Sequence, residues 1–239
     1  MIEFAEITVG HDAGVGCVRC RPAHHMIGSC RSTEEVVSDI ASVVDGWDWG
    51  CGPNIVLLGC EAFSHPDLVD IVDCAVRAGV VRLSVRTNGA ALADPSVAER
   101  FVLAGVRRIE VTLLAGSPEV HDRLTGSPGS FDAGITGMRA FVAASNSLGV
   151  GTTVSGLVPA CEHNITGLPD AILAFAQAGA SIVTIDASRA KRRAHVPWLQ
   201  AAALTGVLNT VWVSIEGVDP ETLGEGAAHA VPATTCRGV

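Results

Sequence analysis

The sequence predicts an α/β fold whose parallel sheet curves into a partial barrel, and three observations predict it. Short Val- and Ile-rich runs recur along the chain, with longer amphipathic stretches between them. From the second run onward they begin roughly 26 to 44 residues apart, a spacing that suits βα units. Six or seven such units fall short of a complete eight-unit barrel of about 250 residues, so an open or partial barrel fits better. A doubly wound open sheet is the competing architecture. No G-x-G-x-x-G follows the first run, where a dinucleotide-binding version of that fold would place it.

The strands are expected at residues 2–9, 54–59, 81–87, 107–113, 151–157, 181–186 and 211–215, all short enough to be buried and parallel. The first helix opens on the capping box Ser32-Thr33-Glu34-Glu35, ahead of Val36, Val37, Ile40 and Val43. The second starts at Pro66, keeps a 3.6-residue period through Leu68, Ile71, Val72 and Ala75, and stops at Gly79. Asp94-Pro95 opens a third that ends near Gly105. Further helices are expected at 131–148, 168–178 before Gly179, and 197–208.

Composition bounds the function classes. The 239 residues are 48% hydrophobic and 17% charged, which excludes intrinsic disorder, and a chain of that length can bury a core without staples. A net charge of −9 makes nucleic acid a poor partner. No signal-peptide pattern or uninterrupted apolar span is present, so the expectation is a cytoplasmic protein with no membrane partner. In that compartment the eight cysteines are expected to stay reduced, as metal ligands or buried thiols. One core domain is expected over residues 1–216, with an irregular Gly-, Ala- and Pro-rich tail over 217–239.

In parallel α/β folds chemistry sits at the carboxyl ends of the strands. Read there, the sequence offers His11, Asp12, Cys17, Cys20, His24 and His25 after the first strand, and Gly59-Cys60-Glu61 after the second. Thr87-Asn88-Gly89 follows the third, Thr112 lies on the fourth, and Asp186 and Arg189 end the sixth.

The segment NIVLLGCEAFSHPDLVDIVDCAVRAGVVRLSVRTNGAAL, from Asn54 to Leu92, resembles the strand, GGEP loop, helix, strand and TNG run of the radical S-adenosylmethionine (radical SAM) superfamily. GVRRIEVTLLAGSPEVHDRLTGSPGSFDAGITGMRAF, from Gly105, is similar to that family's next two units. The order and spacing of these motifs over about 180 residues carry the resemblance. It implies a partial (β/α)6 barrel, a [4Fe–4S] cluster on three cysteines after the first strand, and S-adenosylmethionine chelated to the open iron. Electron transfer into the sulfonium then cleaves a C–S bond. The resemblance places Gly59, Cys60 and Glu61 at the methionine end and Asn88 on the ribose side. Thr112 could offer a hydroxyl to the nucleoside, although threonine is also an ordinary strand residue.

The departures fall on the catalytic parts. Cys17 and Cys20 match the family's second and third ligands, but the first position is Ala13, and a methyl group cannot ligate iron. His11 is the preferred replacement, with Cys30 and Cys60 as further candidates. Imidazole ligation raises cluster potential, which works against reducing a sulfonium. Ala62 stands where the GGEP proline should be, and Arg19 where an aromatic is usual. Two readings follow. Either an atypically ligated cluster with S-adenosylmethionine modifies a small molecule or peptide, or the chain is an inactive pseudoenzyme serving as scaffold or partner of an active enzyme. Zinc on Cys17, Cys20 and the nearby histidines is the third possibility for the metal.

Other features read as structural. His121-Asp122 is expected as a helix cap and surface pair, Cys74 as core, and Trp47, Trp49, Trp198 and Trp212 as packing. The basic run Arg189, Lys191, Arg192 and Arg193 is expected to be a solvated face, with ligand anion binding as the alternative.

Overall fold

The computed structural model describes residues 4–10, 30–48, 52–59, 61–188 and 195–218. Among these residues seven strands form one sheet: β1 (Ala5–Gly10), β2 (Asn54–Gly59), β3 (Arg82–Thr87), β4 (Arg108–Thr112), β5 (Thr153–Pro159), β6 (Ile182–Asp186) and β7 (Trp212–Glu216). Their spatial order is the sequence order, and all pairings are parallel. Each crossover advances one strand and the order never reverses. A doubly wound sheet requires such a reversal, so that alternative is excluded. β1 and β7 do not pair with each other, which leaves the barrel open as expected, with one strand beyond six.

Among the described residues seven helices cover the outside: α1 (Thr33–Asp45), α2 (Leu68–Arg77), α3 (Pro95–Ala104), α4 (Pro118–Thr125), α5 (Ser130–Leu148), α6 (Leu168–Gln177) and α7 (Val196–Leu208). The capping box forms on α1: Glu35 N donates to Ser32 Oγ at 3.2 Å and Ser32 N to Glu35 Oε2 at 3.0 Å. Asp94 caps α3 with Pro95 in its first turn, and Gly105 ends it in the left-handed region.

The short helix α4 was not anticipated as an element, although Ser117-Pro118 at its start and Gly126 at its end are ordinary helix punctuation. It corrects the expectation of a His121-Asp122 surface pair. His121 is buried, accepts from Leu114 N through Nδ1 at 3.0 Å, and packs edge-on against Phe131. Asp122 reaches the next helix, accepting from Phe131 N, Gly129 N and Ser130 Oγ. Its partial burial pushes the carboxyl pKa up. The two amides, the hydroxyl and His121 pull it further down, below the ordinary value.

The core lies between sheet and helices. Ile7, Val9, Ile55, Leu57, Leu83, Val85, Ile109, Val111, Val183 and Ile185 alternate along the strands and are all but inaccessible. Phe141 of α5 and Phe175 of α6 fill the space above them. The intervening positions face the lumen and are largely polar: Glu6, Thr8, Ser84, Arg86, Arg108, Glu110, Ser155 and Thr184. Strands buried on both faces read as continuously apolar; here only the helix-covered face is. Two packing expectations are corrected as well. Trp198 and Trp212 are 41% and 50% exposed, because they lie on the outside of α7 and at the start of edge strand β7. Cys74 is half-buried. Among the described residues, no helix is long and apolar enough to cross a membrane.

Candidate functional site

The carboxyl ends of β1 and β2 meet at two glycines. Gly10 pairs with Gly59, and a Cβ on Gly59 would lie 2.5 Å from the Gly10 carbonyl oxygen, so only glycine lets these backbones approach. The chain returns to the same place at Cys30, which forms an antiparallel bridge with Gly10. Cys30 Sγ donates to Ser64 O at 3.6 Å, and His65 Nε2 lies 2.8 Å from Arg31 O. Gly10 and Cys30 are therefore held together beside the end of β2. His11, Ala13, Cys17, Cys20, His24 and His25, in the stretch 11–29, lie outside the described residues, as do Cys60 and the basic run 189–193.

Glu61 joins this corner to the next strand end. Its carboxylate accepts from Thr87 Oγ1 at 2.6 Å, Asn88 N at 2.7 Å and Phe63 N at 3.0 Å. The residue is 8% exposed. Burial pushes its pKa up, outweighing the pull of Thr87, Asn88 and Phe63, which favours the ionised form. Both oxygens are thus engaged within the protein, and the Glu61 carbonyl accepts from Ser64 N and Oγ, so what Glu61 offers to a ligand is its backbone N–H.

Asn88 and Gly89 form the loop beyond β3. Asn88 Oδ1 accepts from Ala90 N at 2.8 Å and Gly89 N donates to Thr87 Oγ1 at 3.0 Å, a side-chain-stabilised turn into the 3-10 segment 90–93. Asn88 is half-buried at the mouth of the barrel, and its Nδ2 has no protein partner among the described residues. Thr112 ends β4, one strand over, half-buried. Glu61 and Asn88 are thus in direct contact, Gly59 ends β2 two residues before Glu61, and Thr112 lies on the strand next to the one Asn88 follows.

Deeper in the lumen, Arg86 of β3 pairs with Glu110 of β4 and, at 3.2 Å, with Glu6 of β1. Arg108 Nε donates to Ser155 Oγ at 3.0 Å. This network was missed in the sequence, although charges at alternate positions of RLSVRT and RIEVT signal a polar strand face. Glu216, at the end of β7, titrates above the ordinary carboxylate value. Partial withdrawal from water is the main cause, then the Glu110 and Asp186 carboxylates, with Arg86 opposing and Glu6 adding. A raised folded-state pKa binds protons more readily than the unfolded chain does. Stability from this group is present below pH 4.5 and lost as pH rises through the folded value. Glu216→Gln is expected to raise the thermal midpoint at pH 7, by an amount worth a few tenths of a kcal/mol, and to change nothing at pH 4. Melting curves at the two pH values check it.

Among the described residues no group of three or more His, Cys, Asp and Glu side chains could hold a metal. Of the candidate metal ligands proposed from the sequence, Cys30 is described, half-buried beside Gly10, while His11, Cys17, Cys20, His24, His25 and Cys60 lie outside the described residues.

A family model described as the Radical SAM superfamily matches residues 15–169. The chain is 30% identical over 150 residues to an AdoMet-dependent heme synthase of Methanosarcina barkeri, covering 63% of this chain and 41% of that protein. It is 30% identical over 141 residues to a probable GTP 3',8-cyclase of Saccharolobus islandicus, covering 59% and 44%. Streptococcus suis SuiB bound to precursor peptide SuiA superposes with a TM-score of 0.67 at 12% identity, covering 89% of this chain and 48% of that one. The chain thus spans less than half the length of each.

Proposed function

This chain belongs to the radical SAM superfamily, and from that premise we propose that it binds S-adenosylmethionine across the carboxyl ends of β2, β3 and β4. One observation carries the reading: Glu61 ties the Gly59 corner to the Asn88 loop, so the two ends of an elongated ligand would meet one connected surface. The donors present fit the ligand. Backbone at Gly59, Cys60 and Glu61 serves the methionine end, the unpartnered Asn88 Nδ2 suits a ribose hydroxyl, and Thr112 adds a hydroxyl beside it. Cys17, Cys20 and His11 would hold an iron–sulfur cluster, and such a cluster supplies the electron that cleaves the sulfonium. Two thiolates and one imidazole are a chemically competent iron set. The chain's own task is to orient the nucleoside with Asn88 and Thr112 and to keep the methionine end against backbone. The compound modified is a small molecule or peptide.

Ala13 favours a second reading, in which no cluster assembles and the chain acts as scaffold or partner of an active enzyme. Anaerobic reconstitution separates the two. The first reading expects stoichiometric iron and sulfide, a visible charge-transfer band, and 5′-deoxyadenosine formed from S-adenosylmethionine under strong reduction. It also expects Cys17→Ala and Cys20→Ala to lose the iron, and Ala13→Cys to increase turnover by lowering the cluster potential. Protein that takes up no iron and gives no 5′-deoxyadenosine leaves the second reading standing.

A further inference from the structure

We propose that Gly134 and Gly137 of α5 are positioning residues for the cofactor site, acting through the Asn88–Gly89 loop; the proposal rests on the S-adenosylmethionine reading above. Both glycines are buried in the interior of a 19-residue helix, one turn apart on the same face. A glycine there destabilises a helix by about 0.5–1 kcal/mol relative to alanine, so two of them call for a reason, and the contact supplies it. A Cβ on Gly137 would stand 2.0 Å from the Gly89 carbonyl oxygen and 3.0 Å from its carbon. A Cβ on Gly134 would stand 2.9 Å from Asn88 O. Gly89, at φ +83°, could accept no Cβ either, since one would meet Gly134 O at 3.0 Å.

Loop backbone therefore rests directly on helix backbone, with no flexible side chain between to absorb a change. From the opposite side Glu61 holds Asn88 N, and Thr87 Oγ1 and Leu92 N take the polar groups of Gly89. The loop is clamped between two rigid elements, and the Asn88 carboxamide nitrogen is left without a protein partner among the described residues, available to a ligand. Where that nitrogen sits is set by how closely α5 approaches.

Carbon and carbonyl oxygen ordinarily approach to about 3.3 Å. Gly137→Ala must therefore move the loop or the helix by more than about an ångström, a misplacement that costs on the order of a hundredfold where geometry is critical. Two measurements test this. In protein without ligand, amide exchange at Asn88 and Gly89 is expected to quicken at least about tenfold in Gly137→Ala. It should stay unchanged in Gly151→Ala, where a Cβ meets nothing within 4 Å. In reconstituted protein, Gly137→Ala is expected to weaken S-adenosylmethionine about tenfold or more while leaving methionine alone unaffected, because methionine does not reach Asn88. Asn88→Ala combined with Gly137→Ala should bind no more weakly than Asn88→Ala alone. If Gly137→Ala does not fold, Gly134→Ala, with its smaller clash, is expected to shift both measurements in the same direction by less.

Unchanged exchange at Asn88 and Gly89 overturns the clamp. Faster exchange with undiminished S-adenosylmethionine affinity overturns the link from clamp to cofactor. Failure of the unsubstituted, reconstituted protein to bind S-adenosylmethionine sinks the underlying reading, and the exchange result still decides whether α5 holds the loop.

Discussion

Glu61→Ala is expected to lower folding stability by about 2–5 kcal/mol, because it strands the donors that converge on one carboxylate. Asn88 N at 2.7 Å and Phe63 N at 3.0 Å are backbone groups held in place by their loops, and each loses its partner. The Thr87 hydroxyl, at 2.6 Å, can rotate and loses less. Glu61→Gln keeps an oxygen for Phe63 and Thr87 but turns an amide towards Asn88 N, donor against donor, so a smaller loss is expected. Urea denaturation of the three proteins checks the order.

The pH dependence follows from the raised pKa of Glu61. Its folded state binds a proton more readily than the unfolded chain, so the group's contribution is full below pH 4.5 and is lost as pH rises through the folded value. The gap between wild type and Glu61→Ala is therefore expected to widen as pH falls through that value. A gap that narrows on acidification would mean that the hydrogen bonds outweigh burial and that Glu61 is depressed instead.

How much of this was legible in the sequence depends on which physical signal each feature leaves. The seven strands and six of the helices show in the period of apolar residues, because burial against a covered face demands that pattern. Strand ends shifted by a few residues, as in β1, where Gly10 continues the strand that apolarity alone ends at Val9. Helix α4 escaped because it buries only His121, Leu124 and Thr125, too few for a period. At the site, Gly59, Glu61 and Asn88 could be named from motif order. That Glu61 turns its carboxylate onto Asn88 could not, since a contact 27 residues apart in sequence leaves no local trace. The same holds for α5: Gly134 and Gly137 look like weak spots in a helix until the loop backbone is seen against them. His11, Cys17 and Cys20 remain expectations drawn from chemistry and the resemblance.

Arg86→Ala is expected to cost about 3–5 kcal/mol, the price of removing one member of a buried ion pair. The Glu110 side chain is 10% exposed, and without Arg86 the one cation left to it among the described residues is Arg108 at 3.4 Å, which is also engaged with Ser155. Coupling should be visible in a double-mutant cycle. Arg86→Leu with Glu110→Leu removes both charges, and apolar residues of similar volume are expected to recover most of the loss. Glu6→Gln should cost under about 1 kcal/mol, since the Glu6 side chain is 49% exposed and its bond to Arg86 is worth little in water. The geometry makes this a test of the fold as well as of a pair. Arg86 on β3 bonds Glu6 on β1, passing over β2, although strands two apart in a flat sheet are separated by about 10 Å. The bond closes because the sheet curls its polar face inward. If Glu6→Gln and Glu110→Gln proved equally mild and additive with Arg86→Ala, the lumen would be wetter and wider than this network requires, and the curvature that brings β1 towards β4 would be in question.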